Sequence, residues 1–289
     1  MSLELIVNPA AGGGRAGRAL PEVRAALDEL GLEYRVELTR DLEHARALAR
    51  AAAESGATAV AFGGDGLIGA VAGEVSRQGG VLGLLPGGRG NDFARMLGIP
   101  LKPGPACAVL RDGREAALDL GVVDGQTFIG IASCGFDSDA NRIANETRLI
   151  RGHLVYAYGM LRALAGWRPA SFTLELDGGE PRTFRGYSVA AANSRYYGGG
   201  MMIAPGASLT DGQLEIVLIH DVPRWRYLLL APTVFRGAHV NQPTVEVIRA
   251  ATARISASRP FTIYADGDPV AELPVTVGVK PRAVRVLVP

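Results

Sequence analysis

Short strand-like runs and amphipathic stretches alternate along the first 120 residues of this 289-residue chain, and that order constrains the fold most. The runs at 3–7, 33–38, 58–62 and 81–85 have the length of strands and are bounded by turn residues. The stretches 16–30 and 42–55 carry apolar residues at helical spacing, and each is followed by glycine, a common helix stop. This order predicts a parallel sheet with helices packed on its faces.

After residue 120 the pattern changes to short alternating runs, such as "SFTLEL" and "QLEIVLI", separated by Gly, Pro and Asp turns. Such runs favour an antiparallel sandwich, here interrupted by two helical stretches at roughly 138–165 and 224–236. We therefore predict an α/β domain over residues 1–120 and an antiparallel β-rich domain over 121–289. The last strands of the second domain either stay within it or return to the first.

Composition excludes several classes of protein. The net charge is +1 with acids and bases interspersed, which does not fit a nucleic-acid binder. Two cysteines, Cys107 and Cys134, fit neither a disulfide framework nor a zinc spacing, so we expect a reducing, cytoplasmic setting. Glycine and proline interrupt every apolar run before the about 20 residues that a membrane-spanning helix needs, and the apolar run at 3–7 is too short for a secretory signal.

Three glycine-rich turns, at 8–14, 63–66 and 86–92, each follow a predicted strand. Ligands of parallel sheets bind beyond the carboxyl ends of the strands, so these turns belong to one binding edge. "GGGRAG" and "GDGLIG" also match the G-x-G-x-x-G pattern of a Rossmann dinucleotide site, which is a rival interpretation. In a Rossmann fingerprint the first glycine follows the strand closely, whereas here four residues separate Val7 from Gly12. A Rossmann site also does not need glycine turns after the third and fourth strands.

Asp65 stands among four glycines in "VAFGGDGLIG". The N–H groups of a glycine turn and a helix N-terminus attract phosphate, whereas a carboxylate repels it unless a divalent cation lies between them. Mg²⁺ is usually held by one or two carboxylates together with substrate phosphates. The alternative is that Asp65 only caps a helix or shapes the turn. "LPGGRGNDFAR" repeats the design with Asn91 and Asp92, which favours a site for a metal–nucleotide complex.

Seven motifs follow one another along the chain: "IVNPAAGGG", "GGDG", "PGGRGNDFAR", "DLGVVDG", "CGFDSDANR", "NSRYYGGGMMIAPGASLTDGQLEIVLI" and "DGD". Their order resembles that of the diacylglycerol kinase catalytic family, which includes lipid kinases and is related to NAD kinases. The chain resembles that family over nearly its whole length. The resemblance implies an N-terminal nucleotide-binding α/β domain, a C-terminal β-rich domain and ATP in the cleft between them.

The resemblance also assigns residues. It implies nucleotide contacts at the strand ends and glycine turns, namely Asn8, Thr39, Gly63, Gly64, Asp65, Gly66, Leu67, Ile68, Gly69, Gly88, Arg89, Asn91 and Asp92. "SLTDGQ" resembles a loop that holds a structural Mg²⁺ through Asp211, with Ser208 and Gln213 on either side. "DGD" stands where the family has "DGE", so Asp268 becomes the general base, and Asp65 is the second catalytic residue.

The sequence departs from the family pattern at several of these positions. The usual G-G-D-G-T-x-N-E becomes "GGDGLIGA", which replaces a threonine, an asparagine and a glutamate by Leu67, Gly69 and Ala70. Gly13 stands where a basic residue is common, and Arg89 replaces a threonine. Nucleotide preference therefore depends on whether Arg15 or Arg89 supplies the missing positive charge.

Taken with the motifs, the resemblance implies an ATP-dependent, Mg²⁺-requiring kinase. Its acceptor is the hydroxyl group of a lipid, diacylglycerol or a similar one, met at the membrane surface. Two alternatives remain, an NAD kinase-like enzyme with a water-soluble acceptor and a catalytically silent protein that binds nucleotide or lipid. The sequence does not distinguish the lipid, and it leaves the oligomeric state open, a homodimer included.

Overall fold

The computed structural model describes residues 2–146 and 154–289. In the first part, strands and helices alternate as the sequence predicts. The strands are β1 Ser2–Val7, β2 Glu33–Leu38, β3 Thr58–Gly63 and β4 Val81–Pro86. The helices are α1 Ala11–Glu29, α2 Leu42–Glu54, α3 Asp65–Gln78, α4 Asp92–Met96 and α5 Pro103–Asp112.

The four strands form a parallel sheet in the order β4–β3–β1–β2. All six residues of β3 are buried, as expected for a strand covered by helices on both faces. On these faces α1 packs against α5 and α2 packs against α3. The range of α1 includes a separate first turn, because Gly12, Gly13 and Gly14 have positive φ angles that are not helical. Regular helix follows Gly14, close to the predicted start at residue 16.

The rest of the chain is dominated by strands. They are β5 Arg114–Val123, β6 Gln126–Phe128, β7 Ile131–Gly135, β8 Ala170–Leu176, β9 Arg182–Ala192, β10 Tyr196–Tyr197, β11 Met201–Met202, β12 Leu214–His220, β13 Val245–Ala250, β14 Thr252–Ala257, β15 Thr262–Ala265, β16 Asp268–Glu272 and β17 Val275–Val288. The helices are α6 Phe136–Glu146, α7 Leu154–Gly166, α8 Arg224–Val234 and a 3₁₀ turn at Ala238–Asn241. The centre of the predicted helical stretch 138–165, residues 147–153, lies outside the described residues.

Neighbouring strands from β5 to β16 pair antiparallel, and their inner faces enclose a second hydrophobic core. The predicted fold class, a parallel α/β part followed by an antiparallel β-rich part, is therefore confirmed. No helix in residues 2–146 and 154–289 is both long enough and apolar enough to cross a membrane.

Strand β17 joins the two parts of the chain. It pairs in parallel with β4 through Arg285 and Val286, and antiparallel with β5 and β14. The described strands other than the β10–β11 hairpin therefore form one continuous sheet of 15 strands. Backbone hydrogen bonds within a single sheet consequently hold the carboxyl edge of β1–β4 in place relative to β7 and β15.

Candidate active site

The glycine turns that follow β1, β3 and β4 meet at one edge of the sheet. A methyl group added to Gly88 would lie 2.5 Å from the Cα atom of Gly64, and one added to Gly12 would lie 2.5 Å from the Gly87 carbonyl oxygen. Such distances exclude any side chain at these contacts. The Arg15 guanidinium also donates a hydrogen bond to the Gly88 carbonyl, at 3.0 Å, and so links the first turn to the third.

Two predicted contact residues stand at the ends of β1 and β2, on this same edge. The backbone N–H of Asn8 donates to the Phe62 carbonyl at 3.0 Å, and its side-chain oxygen accepts from the Ala10 N–H at 3.1 Å. The N–H of Thr39 donates to the Val7 carbonyl at 2.8 Å. Both side chains are only partly buried, so they border the edge and are open to a ligand.

Helix α3 begins within the second turn. Gly63 closes β3, Gly64 is the N-cap residue, and Asp65 is the first helical residue. The first N–H groups of any α-helix have no acceptor inside the helix, so those of Asp65, Gly66 and Leu67 are available to an anion. Leu67, Ile68 and Gly69 complete the stretch: the side chains of Leu67 and Ile68 are buried, and a methyl group added to Gly69 would lie 3.2 Å from Asp266 Oδ2.

Asp65 links this turn to the next. Its Oδ1 accepts a hydrogen bond from the Phe93 N–H at 3.1 Å, so Asp65 caps α4 although it belongs to α3. Its Oδ2 has no hydrogen-bond partner among the described residues. The capping role considered for Asp65 is thus present, but it uses only one of the two carboxylate oxygens.

The third turn is held by its own asparagine. Asn91 adopts a left-handed backbone with φ of 51°, its side-chain oxygen accepts from the Gly88 N–H at 2.8 Å, and its amide donates to the Gly88 carbonyl at 3.3 Å. Arg89, between them, is exposed and has no hydrogen-bond or ion-pair partner in the part of the chain that the structure describes. Its guanidinium is therefore free to meet an anion at the rim of the edge.

Asp92 connects the third turn to the β-rich part. Its Oδ2 accepts a 2.7 Å hydrogen bond from the Gly199 N–H, in the turn between β10 and β11. Its Oδ1 is buried and has no partner among the described residues. Burial, followed by the nearby charge of Asp65, raises the pKa of Asp92 above its usual value, although the hydrogen bond from Gly199 opposes this shift. A buried carboxylate oxygen without a partner is what a bound cation would satisfy.

The turn between β15 and β16 brings two more carboxylates to this edge. Asp266 accepts hydrogen bonds of 2.8 Å from the N–H groups of Ile129 and Gly130, one to each oxygen. Burial raises its pKa to about 7, the charge of Asp65 adds to the shift, and the two N–H groups oppose it. In this turn the family resemblance assigned a role only to Asp268.

Asp268 differs from Asp266 in having a free side chain. Its carboxylate forms no hydrogen bond or ion pair with the described residues, and a methyl group added to Gly66 would lie 3.9 Å from Asp268 Oδ2. The residue as a whole is exposed, but partial desolvation of its carboxylate raises the pKa of Asp268, and the Arg46 guanidinium partly opposes that shift. Asp268 therefore faces the N-terminus of α3 with both oxygens available. We call Asp65, Asp92, Asp266 and Asp268 the aspartate cluster.

The predicted magnesium loop of the β-rich part is a separate turn. Asp211 Oδ1 accepts from the Gln213 N–H at 3.1 Å, and Oδ2 is ion-paired with Arg249. Ser208 Oγ accepts from the Thr210 N–H at 3.3 Å. A metal ion here would replace Arg249 as the partner of Asp211 Oδ2, with backbone carbonyls at Ser208 and Gln213 as further ligands, so the predicted ion stays a prediction. Within residues 2–146 and 154–289, no three or more His, Cys, Asp or Glu side chains are arranged to hold a metal.

A buried aspartate that sequence reasoning missed supports this turn. Asp119, 1% exposed, accepts 2.7 Å hydrogen bonds from the N–H groups of Gly212 and Arg282. Its own N–H donates to the Leu209 carbonyl. Asn193 donates in turn to the Asp119 carbonyl at 3.0 Å. Both residues lie within motifs quoted above, "DLGVVDG" and "NSRYYGGG", but nothing in their spacing indicates the contact.

Comparisons with known proteins agree with this architecture. Residues 2–123 match the family model of the diacylglycerol kinase catalytic domain, and residues 130–288 match that of the YegS C-terminal NAD kinase beta sandwich-like domain. A diacylglycerol kinase of Mycobacterium tuberculosis (strain H37Rv) is 35% identical, with 98% of this chain and 94% of that protein covered.

Two solved structures share the fold. A diacylglycerol kinase from Bacillus anthracis superposes with a TM-score of 0.77 at 18% identity, over 100% of this chain and 97% of that one. An NAD kinase from Archaeoglobus fulgidus, solved in complex with ATP, superposes with a TM-score of 0.53 at 15% identity, over 99% and 93% of the two chains. At these identities the likeness concerns the fold alone.

Proposed function

Because this chain belongs to the diacylglycerol kinase family, we propose that it transfers the γ-phosphate of ATP to the hydroxyl group of a lipid, diacylglycerol or a similar one. One observation carries the proposal. The aspartate cluster, with unpartnered oxygens on Asp65, Asp92 and Asp268, lies at the N-terminus of α3, where helix N–H groups are open to phosphate.

The nucleotide side of the site is built from backbone. We propose that the phosphates lie on the turns around Gly64 and Gly88, whose close approach leaves no room for side chains. Asn8 and Thr39 border that surface, and Arg89 at the rim replaces a threonine with a positive charge. Phosphoryl transfer requires positioning and charge neutralisation more than covalent help from the protein, and these groups supply both.

Asp65 and Asp92 are the residues that would hold a divalent cation beside the phosphates. Asp65 Oδ2 and Asp92 Oδ1 both lack partners among the described residues, and two carboxylates together with phosphate oxygens are a usual Mg²⁺ ligand set. When bound, Mg²⁺ neutralises charge on the phosphates. The chain's own contribution is to hold the two carboxylates, Asp65 through the Phe93 N–H and Asp92 through the Gly199 N–H.

The acceptor side depends on Asp268. The Asp268 carboxylate takes the proton of the lipid hydroxyl, whose oxygen forms a bond to the γ-phosphorus while the bond to the bridging oxygen of ATP breaks and ADP leaves. A base with a raised pKa accepts a proton more readily, and partial desolvation raises the pKa of Asp268. Asp266 positions this turn, since the N–H groups of Ile129 and Gly130 hold its two oxygens.

Calorimetric titration with ATP, with and without Mg²⁺, tests the nucleotide site. Asp65→Asn keeps an acceptor for the Phe93 N–H but removes the charge, so we expect an unchanged melting temperature and the loss of the Mg²⁺ dependence of ATP affinity. Glu37→Gln, on β2 outside the aspartate cluster, is the matched control and should bind ATP like the parent. Parental Mg²⁺-dependent affinity in Asp65→Asn would leave Asp65 only its role of capping α4.

A further inference from the structure

Helix α8, Arg224–Val234, turns its apolar side chains to solvent. Tyr227 is its one buried residue, whereas Trp225, Leu228 and Leu229 are 61%, 41% and 66% exposed. Phe235, directly after the helix, is 58% exposed. A helix of a water-soluble protein normally buries its apolar stripe. An exposed cluster of large apolar residues marks a surface that meets another apolar phase.

The spacing places these side chains on one face. At about 100° per residue, Trp225, Leu228, Leu229 and Pro232 fall within an arc of about 100°. Tyr227 lies on the opposite side of the helix. Arg224 and Arg226 lie about 100° to either side of Trp225, so they flank the apolar stripe along both margins. This is the pattern of a helix that lies in a membrane interface.

Packing fixes the orientation of α8. The Tyr227 ring lies 4.4 Å from that of Tyr187 and 4.9 Å from that of Phe136, centroid to centroid. Arg224 Nη2 also donates to the Trp167 carbonyl at 2.8 Å. The buried aromatic contacts hold the Tyr227 side of the helix against the β-rich core, and the opposite, apolar side therefore faces outward.

Charge identifies what covers this face. Residues 222–245 contain three arginines and no aspartate or glutamate. The acids that bound this stretch are already paired, Asp221 with Arg185 at 3.1 Å and Glu246 with Arg182 at 2.8 Å. An apolar stripe between arginines complements a bilayer that carries negative headgroups. A second copy of the chain docked on the same face would bring arginines against arginines, which disfavours a symmetric dimer there.

We propose that Trp225, Leu228, Leu229 and Phe235, flanked by Arg224 and Arg226, form a docking surface for an anionic lipid bilayer. The inference deepens the proposed function and rests on it, because it names the surface at which the enzyme reaches its lipid acceptor. The apolar side chains enter the headgroup region. Arg226 stays at the level of the lipid phosphates, while Arg224 keeps its hydrogen bond to the Trp167 carbonyl at the margin of the stripe.

Vesicle binding without nucleotide tests the surface directly. The parent protein is mixed with vesicles of phosphatidylcholine alone, or of phosphatidylcholine with phosphatidylglycerol. We expect binding to the mixed vesicles, weakened by roughly tenfold or more in Leu229→Asp and by about fivefold in Arg226→Gln. Leu101→Asp, at an exposed leucine of the α/β part, is the matched control and should bind like the parent.

Fluorescence gives a second readout, because the chain has two tryptophans and Trp167 is buried. Binding to mixed vesicles should shift the emission of the parent to shorter wavelength as Trp225 leaves water. Trp225→Phe should keep binding and lose the shift. Binding of Leu229→Asp equal to the parent's, or an unshifted parent spectrum on bound vesicles, would overturn the proposal. So would a parent dimer in solution that Leu229→Asp converts to monomer.

The proposed function can fail separately from this surface. Leu229→Asp should phosphorylate a short-chain diacylglycerol dispersed in water at the parental rate, since α8 is not part of the catalytic site. A parent that binds mixed vesicles but never transfers phosphate would refute the kinase and leave the docking surface standing. If the parent phosphorylates the dispersed lipid while Leu229→Asp still binds vesicles normally, the kinase proposal stands and the docking surface is refuted.

Discussion

Replacement of Asp268 by Asn should remove turnover and leave the fold intact. The Asp268 carboxylate has no hydrogen-bond or ion-pair partner among the described residues, so an amide at this position breaks no contact of the protein. Asn has the shape of Asp but cannot accept a proton at neutral pH. We therefore expect kcat to fall by roughly 10²–10⁴, the range assigned to general acid–base catalysis.

The matched variant is Asp266→Asn, two residues away. The Asp266 oxygens accept from the N–H groups of Ile129 and Gly130, at 2.8 Å each, and an amide provides an acceptor for only one of them. A buried donor without an acceptor costs about 1–3 kcal/mol. This loss should lower the melting temperature by roughly 2–12 °C. Asp268→Asn should melt with the parent.

The assay combines a thermal melt with steady-state kinetics on a dispersed diacylglycerol. Asp268→Asn should lower kcat while ATP affinity, measured by titration, stays at the parental value, because the base acts on the acceptor. Asp268→Glu should keep substantial activity, since it restores the family's glutamate. Normal turnover in Asp268→Asn, together with loss of turnover in a folded Asp266→Asn, would refute the reasoning and make Asp266 the base.

Three further predictions concern other parts of the molecule. Burial raises the pKa of Asp137 to about 6, so its contribution to the free energy of unfolding should be complete below pH about 4 and lost as pH rises through about 6. Urea titrations across that pH range should show this decline in the parent and not in Asp137→Asn. Gly88→Ala forces two glycine turns apart and should cost about 1–3 kcal/mol of stability and weaken ATP binding, whereas Gly166→Ala, with nothing within 4 Å, should do neither in melts and titrations. If the predicted magnesium loop holds its ion, EDTA should lower the melting temperature of the parent but not of Asp211→Ala; equal responses would leave Arg249 as the partner of Asp211.

Sequence periodicity was sufficient for the four parallel strands of the first part, but not for helix α5, which follows α4 without an intervening strand. Each strand predicted there appears within two residues of its expected ends, because apolar runs and helical stripes are local signals. The rule that parallel strands end at one edge then brings the turns around Gly12, Gly64 and Gly88 together, as the structure shows. The contact of Gly12 with the Gly87 carbonyl was harder to predict, because the two glycines are far apart in the sequence.

The contacts that complete the site join residues far apart in the sequence, and no local sequence pattern predicts them. Asp92 accepts from Gly199, 107 residues later, and Asp266 accepts from Ile129, 137 residues earlier. Periodic patterns in a sequence relate neighbours at helical or strand spacing, so a carboxylate that accepts from a distant N–H is indistinguishable from an ordinary turn residue. This is why the family resemblance, and not a pattern in the sequence, pointed to Asp268.

Transfer of labelled phosphate is the most direct test of the central claim. Purified protein is incubated with γ-labelled ATP, Mg²⁺, a mixed lipid extract containing diacylglycerol, and NAD, with Asp65→Asn as the control. We expect the label to enter the lipid fraction with the parent and Asp65→Asn to transfer none. Label recovered in a dinucleotide, or no transfer by a parent that binds ATP, would contradict the central claim.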